Sequence, residues 1–191
     1  WDVSIARIVI SSCAGMTRGR TVSECGQIAV TTMHSTSGTM MGPPADNELL
    51  YRRVLPQHHR ELAEKEGITG TVVVEASSWL EDNQWILDLA ADDPWIVGFV
   101  GHLDPGDGFA ERLARFSEHP LFLGIRLGGS HFDDLHAGTV LQDVEELAKN
   151  LLALDVLVRG EQIDAVGAVA RLFPELRIVI DHIGHVAIDG S

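Results

Sequence analysis

The 191-residue sequence contains only two cysteines, and both lie among its first 25 residues. Neither Cys13 nor Cys25 is near a histidine pair at ligand spacing, so the sequence predicts no zinc motif and no disulfide framework. Such low cysteine use is typical of a reducing compartment, and we expect a cytoplasmic protein. No long uncharged apolar run is present, and the N-terminal stretch lacks the charged, apolar and cleavage regions of a signal peptide. We therefore predict no membrane partner.

Basic residues are also scarce, with 14 lysines and arginines against 28 acidic residues and a net charge of −14. This balance argues against a nucleic-acid partner, because a phosphate backbone needs cations to neutralise it. Residues 1–41 differ from the rest: they have few acidic residues and much Ser, Thr, Gly and Met. We therefore expect an aberrant or poorly ordered segment over 1–41 and a folded domain over 42–191. Since the chain starts at Trp1 and stops soon after a strand, we expect a piece of a longer protein.

From residue 49 on, segments with helical spacing of apolar residues alternate with short β-branched or apolar runs. The predicted helices are 49–66 (with Leu50, Val54, His58 and Leu62 at helical spacing), 81–91, 109–117, 140–152 (with Leu151 on its apolar face) and 163–172. The predicted strands are 69–76, 95–100, 121–127, 156–158 and 178–180. Repeated β-α order predicts a parallel sheet with right-handed crossovers.

Five strands fall short of the eight in a complete barrel, so the predicted fold class is α/β, a partial TIM-type (β/α)8 barrel with about five β-α units. In this interpretation the barrel's first and last strands are missing or aberrant. A small doubly wound α/β domain that binds an anion through Arg126 and Arg159 is the alternative.

Each predicted strand is followed by a polar or charged residue at its exit. These residues are Glu75, His102, Arg126, Arg159 and His182. The carboxyl ends of barrel strands carry the chemistry of α/β enzymes, so all five are candidate site residues. Charges at strand exits also cap helices or meet solvent, which is the competing interpretation for Glu75 and Arg159. Four further histidines, His58, His59, His131 and His136, have no metal-ligand spacing and are expected at the surface.

The segment 177–184 reads Arg-Ile-Val-Ile-Asp-His-Ile-Gly, a buried strand that ends in a carboxylate, an imidazole and a glycine. It follows Gly124-Ile125-Arg126 and Leu157-Val158-Arg159, with 50–56 and 70–76 further upstream. Together these motifs resemble the amidohydrolase-2 branch of the amidohydrolase superfamily, whose relatives include sugar-lactone and pyrone-dicarboxylate lactonases. The likeness runs from about residue 42 to 186.

The resemblance implies a (β/α)8 barrel that hydrolyses a lactone or a related carboxylic ester or amide with an activated water. His182 matches the family's active-site histidine, which ligates a divalent metal ion (zinc or manganese) or, in metal-free members, polarises the substrate carbonyl. Asp181 is also a catalytic-site candidate, expected to orient the loop or His182 rather than to act directly. Arg126 matches an arginine that would hold a substrate carboxylate. Glu75, Arg159 and His102 complete the substrate-binding candidates.

Two parts of the family pattern are missing from the sequence. The first-strand His-x-His has no counterpart in residues 1–41, which offer only His34, and the last-strand Asp that serves as general base is also missing. Thr36 to Thr39, read one base earlier, admits the His-Phe-Trp-Asp that closes the family's first-strand motif, so a frameshift is one hypothesis for this segment. Without these parts, a catalytically inert chain is the second interpretation. Open barrel edges also predict self-association, including a homo-oligomer.

Overall fold

A computed structural model gives the fold and describes residues 27–33, 56–75, 77–136 and 138–186. The strands in these ranges are β1 (Gln27–Met33), β2 (Ile68–Glu75), β3 (Ile96–Gly101), β4 (Phe122–Gly128), β5 (Ala153–Leu157) and β6 (Arg177–Ile180). The helices are α1 (Pro56–Ala63), α2 (Leu80–Asp92), α3 (Phe109–Ser117), α4 (Val140–Lys149) and α5 (Ile163–Leu172). Two compact units divide the chain, residues 1–102 with 119–123 and residues 103–118 with 124–191.

The first unit contains a parallel sheet in which β2 pairs with both β1 and β3. Strand β2 is buried over most of its length, because its valine run places apolar side chains on both faces. Val72 and Val74 pack with Val100 of β3 and with Leu123. This packing fixes the carboxyl ends of β2 and β3, where Glu75 and His102 lie.

In the second unit, β4, β5 and β6 are parallel and adjacent in chain order. Helix α4 packs on β5, and the side chains at this contact are fully buried. They include Val144 and Leu147 of the helix and Leu154 and Val156 of the strand. Strand β6 was expected to be buried, but it is half-buried and its last residue, Ile180, is exposed, so that expectation is wrong. The remaining candidate residues lie at the carboxyl ends of these three strands, of which β4 and β5 are mostly buried.

The predicted α/β class and its repeated β-α order are confirmed, and all five strands expected after residue 68 are present. The structure adds β1, which the sequence did not predict and which lies within the segment 1–41. The proposed boundary at residue 41, His34 and the segment Thr36–Thr39 lie outside the described residues, as do positions 49–55 of the first predicted helix.

Two element boundaries were wrong. Helix α4 ends at Lys149 rather than at 152, because Leu151 takes a left-handed conformation (φ 56°) and Leu152 donates a hydrogen bond back to the carbonyl of Leu147. The side chain of Leu151 is exposed rather than on the buried face. Strand β5 begins at Ala153 rather than at 156, and Asp155 therefore lies inside it.

The buried face of α1 was also misassigned. His59 and Ala63 are buried, whereas His58 and Leu62 are exposed. Residues Ala63, Ile68 and Trp95 form the apolar cluster under this helix. The expectation that His59 lies at the surface is therefore wrong, while His58 and His136 are exposed as expected and His131 is half-buried. No helix in the described ranges is both long and apolar enough to cross a membrane.

Candidate active site

In the second unit, Arg126 of β4 lies directly opposite Asp155 of β5. Because side chains alternate between the two faces of a strand, the apolar neighbours Ile125 and Leu127 point to the opposite face, and both are buried. Asp155 is 5 % exposed. The register of two strands thus places a guanidinium beside a buried carboxyl group.

Asp181 comes directly after β6 and joins this pair. Val179 is the residue of β6 opposite Asp155, and Asp181 lies two positions further on, which returns it to the same face. The Nη1 atom of Arg126 lies 3.5 Å from the Oδ2 atom of Asp181, and both side chains are largely buried. This Oδ2 atom is fully buried and has no hydrogen-bond partner among the described residues.

The electrostatics of the two carboxyl groups follow from their burial. Burial raises the pKa of Asp155 to about 8, with a further rise from Asp181 and an opposing effect from Arg126. Burial also raises the pKa of Asp181, and the charges of Arg126, His182 and His185 act against that rise. At neutral pH the group therefore holds a proton on Asp155, beside the contact between Arg126 and Asp181.

The chain after Asp181 turns through four successive residues with positive φ, 49° at His182, 51° at Ile183, 67° at Gly184 and 49° at His185. Left-handed conformations are costly for residues other than glycine, most of all for a β-branched one such as Ile183. The Nδ1 atom of His185 lies 3.0 Å from the carbonyl oxygen of Val158 and ties the end of the turn to the exit of β5. The turn leaves His182 exposed.

At the exit of β5, Arg159 is exposed and its backbone N–H donates to Oε1 of Gln162 at 2.9 Å. The Nε2 atom of Gln162 donates in turn to the carbonyl oxygen of Gly129, at 2.9 Å, and to Oδ1 of Asp133, at 2.6 Å. A side chain on Gly129 would collide with Gln162. One amide therefore ties the loops after β4 and β5 together.

In the first unit, Glu75 and His102 form a second pair of candidates. The Nδ1 atom of His102 lies 3.9 Å from Oε1 of Glu75. The buried side chain of Asn83, on α2, donates to the carbonyl oxygen of His102 at 2.7 Å and accepts from its backbone N–H at 3.0 Å. Gly101 allows this approach, because a Cβ atom there would lie 2.5 Å from Oδ1 of Asn83.

The structure thus places Arg126 with Asp181 and Glu75 with His102, and it places His182 and Arg159 exposed at the exits of β6 and β5. Sequence reasoning missed Asp155, Asn83 and Gln162. A charged residue within an apolar strand was the available signal for Asp155. For Asn83 and Gln162 the sequence gives no signal, since polar residues on helices usually face solvent.

The described residues do not fit a complete metal centre. No three His, Cys, Asp or Glu side chains in the described ranges are grouped as a metal site requires. His185, the imidazole next to His182 with ring centroids 5.2 Å apart, has its Nδ1 atom beside the Val158 carbonyl. The role of His182 as a metal ligand therefore stays a prediction.

Comparisons with known proteins agree on one family. The model of the amidohydrolase-2 family, described as "Amidohydrolase", matches residues 33–190. An L-fucono-1,5-lactonase of Burkholderia ambifaria is 34% identical over 145 residues, which cover 73% of this chain and 50% of the lactonase. The chain thus spans about half the length of this curated relative.

Solved structures give the same result for the fold. An amidohydrolase from Burkholderia multivorans with bound zinc has a TM-score of 0.61 at 25% identity, over 71% of this chain and 49% of that one. The same comparison with its HEPES-bound crystal form gives a TM-score of 0.60. An amidohydrolase 2 from Bifidobacterium longum subsp. infantis, at 20% identity, has a TM-score of 0.53 over 78% of this chain and 59% of its own. The predicted partial TIM-type barrel is confirmed.

Proposed function

Because this chain belongs to the amidohydrolase-2 family, we propose that it forms part of a hydrolase that opens a lactone, most closely one of the sugar-lactone kind. The observation that carries the proposal is the pairing of Arg126 with Asp181 at the carboxyl ends of β4 and β6, where a buried carboxylate oxygen has no hydrogen-bond partner among the described residues. The likeness to a lactonase supplies the substrate class.

Lactone hydrolysis needs a water that loses a proton as it attacks the carbonyl carbon. In this proposal the Oδ2 atom of Asp181 accepts this proton, because it is a buried carboxylate oxygen beside the guanidinium of Arg126. The new bond joins the water oxygen to the carbonyl carbon, and the ring C–O bond then breaks. The ring oxygen takes the proton back from Asp181 as it leaves, so the products are a carboxylate and a hydroxyl group with one proton released to solvent.

The substrate must be held and its carbonyl polarised during this step. Arg126, as a substrate-binding residue, donates from its planar guanidinium to the oxygen atoms of the substrate. The exposed imidazole of His182 polarises the carbonyl oxygen, and Asp181 orients it from the adjacent position. Glu75 and His102 in the first unit and Arg159 at the exit of β5 remain proposed substrate-binding residues.

A divalent ion, zinc or manganese, stays part of the proposal for the whole enzyme, and it would supply Lewis-acid activation of the water and carbonyl. A zinc ion is bound in the amidohydrolase of Burkholderia multivorans. We further propose a cytoplasmic setting, a homo-oligomer and no nucleic-acid partner, on the grounds of cysteine use, barrel edges and the net charge of −14.

The experiment is a continuous acid-release assay of the purified full chain with L-fucono-1,5-lactone, run with added Zn²⁺ or Mn²⁺ and again with chelator. We expect hydrolysis above the spontaneous rate, and a loss of about 100-fold in Asp181→Asn, which removes the base but keeps the shape. Asp164→Asn on the exposed surface of α5 is the matched control and should retain the rate. Equal rates for Asp181→Asn and the unaltered chain, or no hydrolysis in either metal condition, would contradict the proposal.

A further inference from the structure

Gly128 is the last residue of β4, and nothing in its surroundings requires a glycine. Its backbone is extended, with φ −75° and ψ 159°, a conformation that any residue adopts. A Cβ atom there would meet no heavy atom of the described residues within 4 Å. By contrast, a Cβ atom at Gly124 of the same strand would collide with the backbone of Ala153. The room in front of Gly128 is therefore not demanded by backbone conformation or by packing.

This room opens on the face of the sheet that carries Arg126. Side chains alternate along a strand, so positions 126 and 128 of β4 share one face, as positions 155 and 157 of β5 do. Gly128 pairs directly with Leu157, and Arg126 pairs with Asp155. At about 3.3 Å per residue, Gly128 lies about 7 Å beyond Arg126 toward the carboxyl end of the sheet.

Asp181 lies at the same level of the sheet as Gly128. Val156 pairs with Ile180, so the residues that follow them, Leu157 and Asp181, are level with each other, as Leu157 and Gly128 are. Because neighbouring strands lie about 4.8 Å apart, the backbones at Gly128 and Asp181 are separated by about 10 Å. Leu157 lies between them and is half-buried, so part of its apolar side chain is accessible.

The room in front of Gly128 lies where the far side of a bound lactone would be. In the proposed reaction the carbonyl carbon lies beside Asp181, and Arg126 donates to oxygen atoms of the substrate from the layer beneath. The rest of the ring then extends over Leu157, whose apolar side chain favours contact with the C–H groups of the ring. Any side chain at position 128 would take the space that substituents on the far ring carbons need.

We propose that Gly128 is a specificity-determining residue of this site, whose missing side chain admits lactones that carry substituents on the ring carbons remote from the carbonyl. This inference rests on the proposed lactone hydrolysis, which it extends from the reacting ester to the part of the substrate that does not react. Gly128 has no side chain with which to touch the reacting atoms, so it sets the size of the substrate and leaves the chemistry to Asp181 and its neighbours.

The test compares two lactones that share a six-membered ring ester and differ in its substituents. δ-Valerolactone has none, whereas L-fucono-1,5-lactone carries three hydroxyl groups and a methyl group. The values of kcat and KM are measured by acid release, above the spontaneous rate, for the full chain and for Gly128→Ala and Gly128→Val. Gly167→Ala is the matched control, because a Cβ atom there, on α5, would meet only the end of the exposed Arg171 side chain, at 3.4 Å.

We expect kcat/KM for L-fucono-1,5-lactone to fall about tenfold in Gly128→Ala and about 100-fold in Gly128→Val, because each added carbon takes room from the ring substituents. The loss should lie in KM, with kcat changed by at most about threefold, since the reacting groups stay in place. For δ-valerolactone, kcat/KM should change by at most about threefold in either variant, because its ring has no substituents to displace. Gly167→Ala should retain both rates, and all variants should melt at the temperature of the unaltered chain.

The outcomes separate the inference from the function on which it rests. Equal losses for both lactones, which displacement of Arg126 or Asp181 would cause, overturn the inference while hydrolysis by the unaltered chain stands. A KM for L-fucono-1,5-lactone that neither variant raises overturns it as well. If the unaltered chain hydrolyses neither lactone, the proposed function fails and the inference fails with it. Should Gly128→Val melt at a lower temperature, Gly128→Ala decides alone, through its KM for L-fucono-1,5-lactone.

Discussion

The side chain of Asn83 binds the main chain of His102 on both sides, with its amide donating to the carbonyl oxygen and its own oxygen accepting from the N–H. These two hydrogen bonds link helix α2 to the residue that follows β3. The position of the His102 ring relative to Glu75 therefore depends on a residue 19 positions earlier in the chain.

Replacing Asn83 with alanine should lower the free energy of unfolding by about 2 kcal/mol, because two main-chain groups lose their partner in a buried setting. Urea denaturation measures the change. Gln84→Ala is the matched control: Gln84 donates to Asp88 on the exposed side of the same helix, and its loss should cost at most about 0.5 kcal/mol. Equal effects of the two changes would show that Asn83 has no special role.

Two glycines of β4 should respond very differently to alanine. A Cβ atom at Gly124 would collide with the backbone of Ala153 on β5, whereas one at Gly128 would have open space around it. We expect Gly124→Ala to cost about 3 kcal/mol or more and to disturb the register that aligns Arg126 with Asp155. Gly128→Ala should be nearly neutral in thermal denaturation, and a similar melting temperature for both variants would contradict this account.

The stability of the chain should fall as pH rises toward 8 because of Asp155. Its folded-state pKa, about 8, lies above the ordinary aspartate value of 3.8, so the folded state holds a proton that the unfolded state releases between these pH values. The contribution of protonated Asp155 to the free energy of unfolding is fully present below about pH 4 and is lost as pH rises through about 8. Asp155→Asn should therefore match the unaltered chain at pH 4 and exceed its unfolding free energy by on the order of 4 kcal/mol at pH 7.

Measured urea unfolding from pH 4 to pH 9 would give this difference directly. Asp181 has a raised pKa as well, so only the difference between the two proteins isolates Asp155. A constant difference across this range would show that Asp155 is ionised throughout in the folded chain.

The buried side chain of His59 should give the free energy of unfolding the opposite pH dependence. Its ring is buried on α1, burial lowers its pKa, and neither ring nitrogen has a hydrogen-bond partner among the described residues. Because the unfolded chain then binds the proton more readily, stability should fall as pH drops below 6.5. His59→Leu should raise the unfolding free energy by about 1 kcal/mol at pH 7, and by more at pH 5.

The neighbouring residue provides the control for this change. His58 is exposed on the same helix, so His58→Leu should alter stability by at most about 0.5 kcal/mol. If the two leucine variants have the same pH profile in urea unfolding, the buried imidazole does not cause the loss of stability at acid pH.

The sequence predicted helices best where a glycine or proline beside the helix agrees with the spacing of apolar residues. Helix α3 has the predicted bounds, because Gly108 with φ 74° precedes it and the pattern ends at Ser117. Helix α5 likewise agrees, with Pro174 beyond its end. In α4 the spacing continues through Leu151, but a left-handed residue ends the helix, and periodicity carries no information about such a turn.

The candidate site was only partly predictable. Three of its residues could be found from the sequence, because they are polar residues at the ends of apolar strands in motifs that resemble the amidohydrolase-2 family. They are Arg126, Asp181 and His182. Asp155 was missed for the same reason that β5 was shortened: a carboxyl group reads as the end of a strand, although pairing with Arg126 allows it inside. The contacts of Asn83 and Gln162 depend on tertiary approach, which a single sequence does not encode locally.

The left-handed turn at 182–185 shows what the family motif does not contain. Four successive positive φ angles, one of them at Ile183, cannot be maintained by local preferences of these residues. The conformation depends on distant neighbours, on Ile163 of α5 beside Gly184 and on the Val158 carbonyl beside His185. A peptide or graft that carries only Asp-His-Ile-Gly would therefore reproduce the letters of the motif without its shape, and the orientation of His182 would have to be transplanted together with β5 and α5.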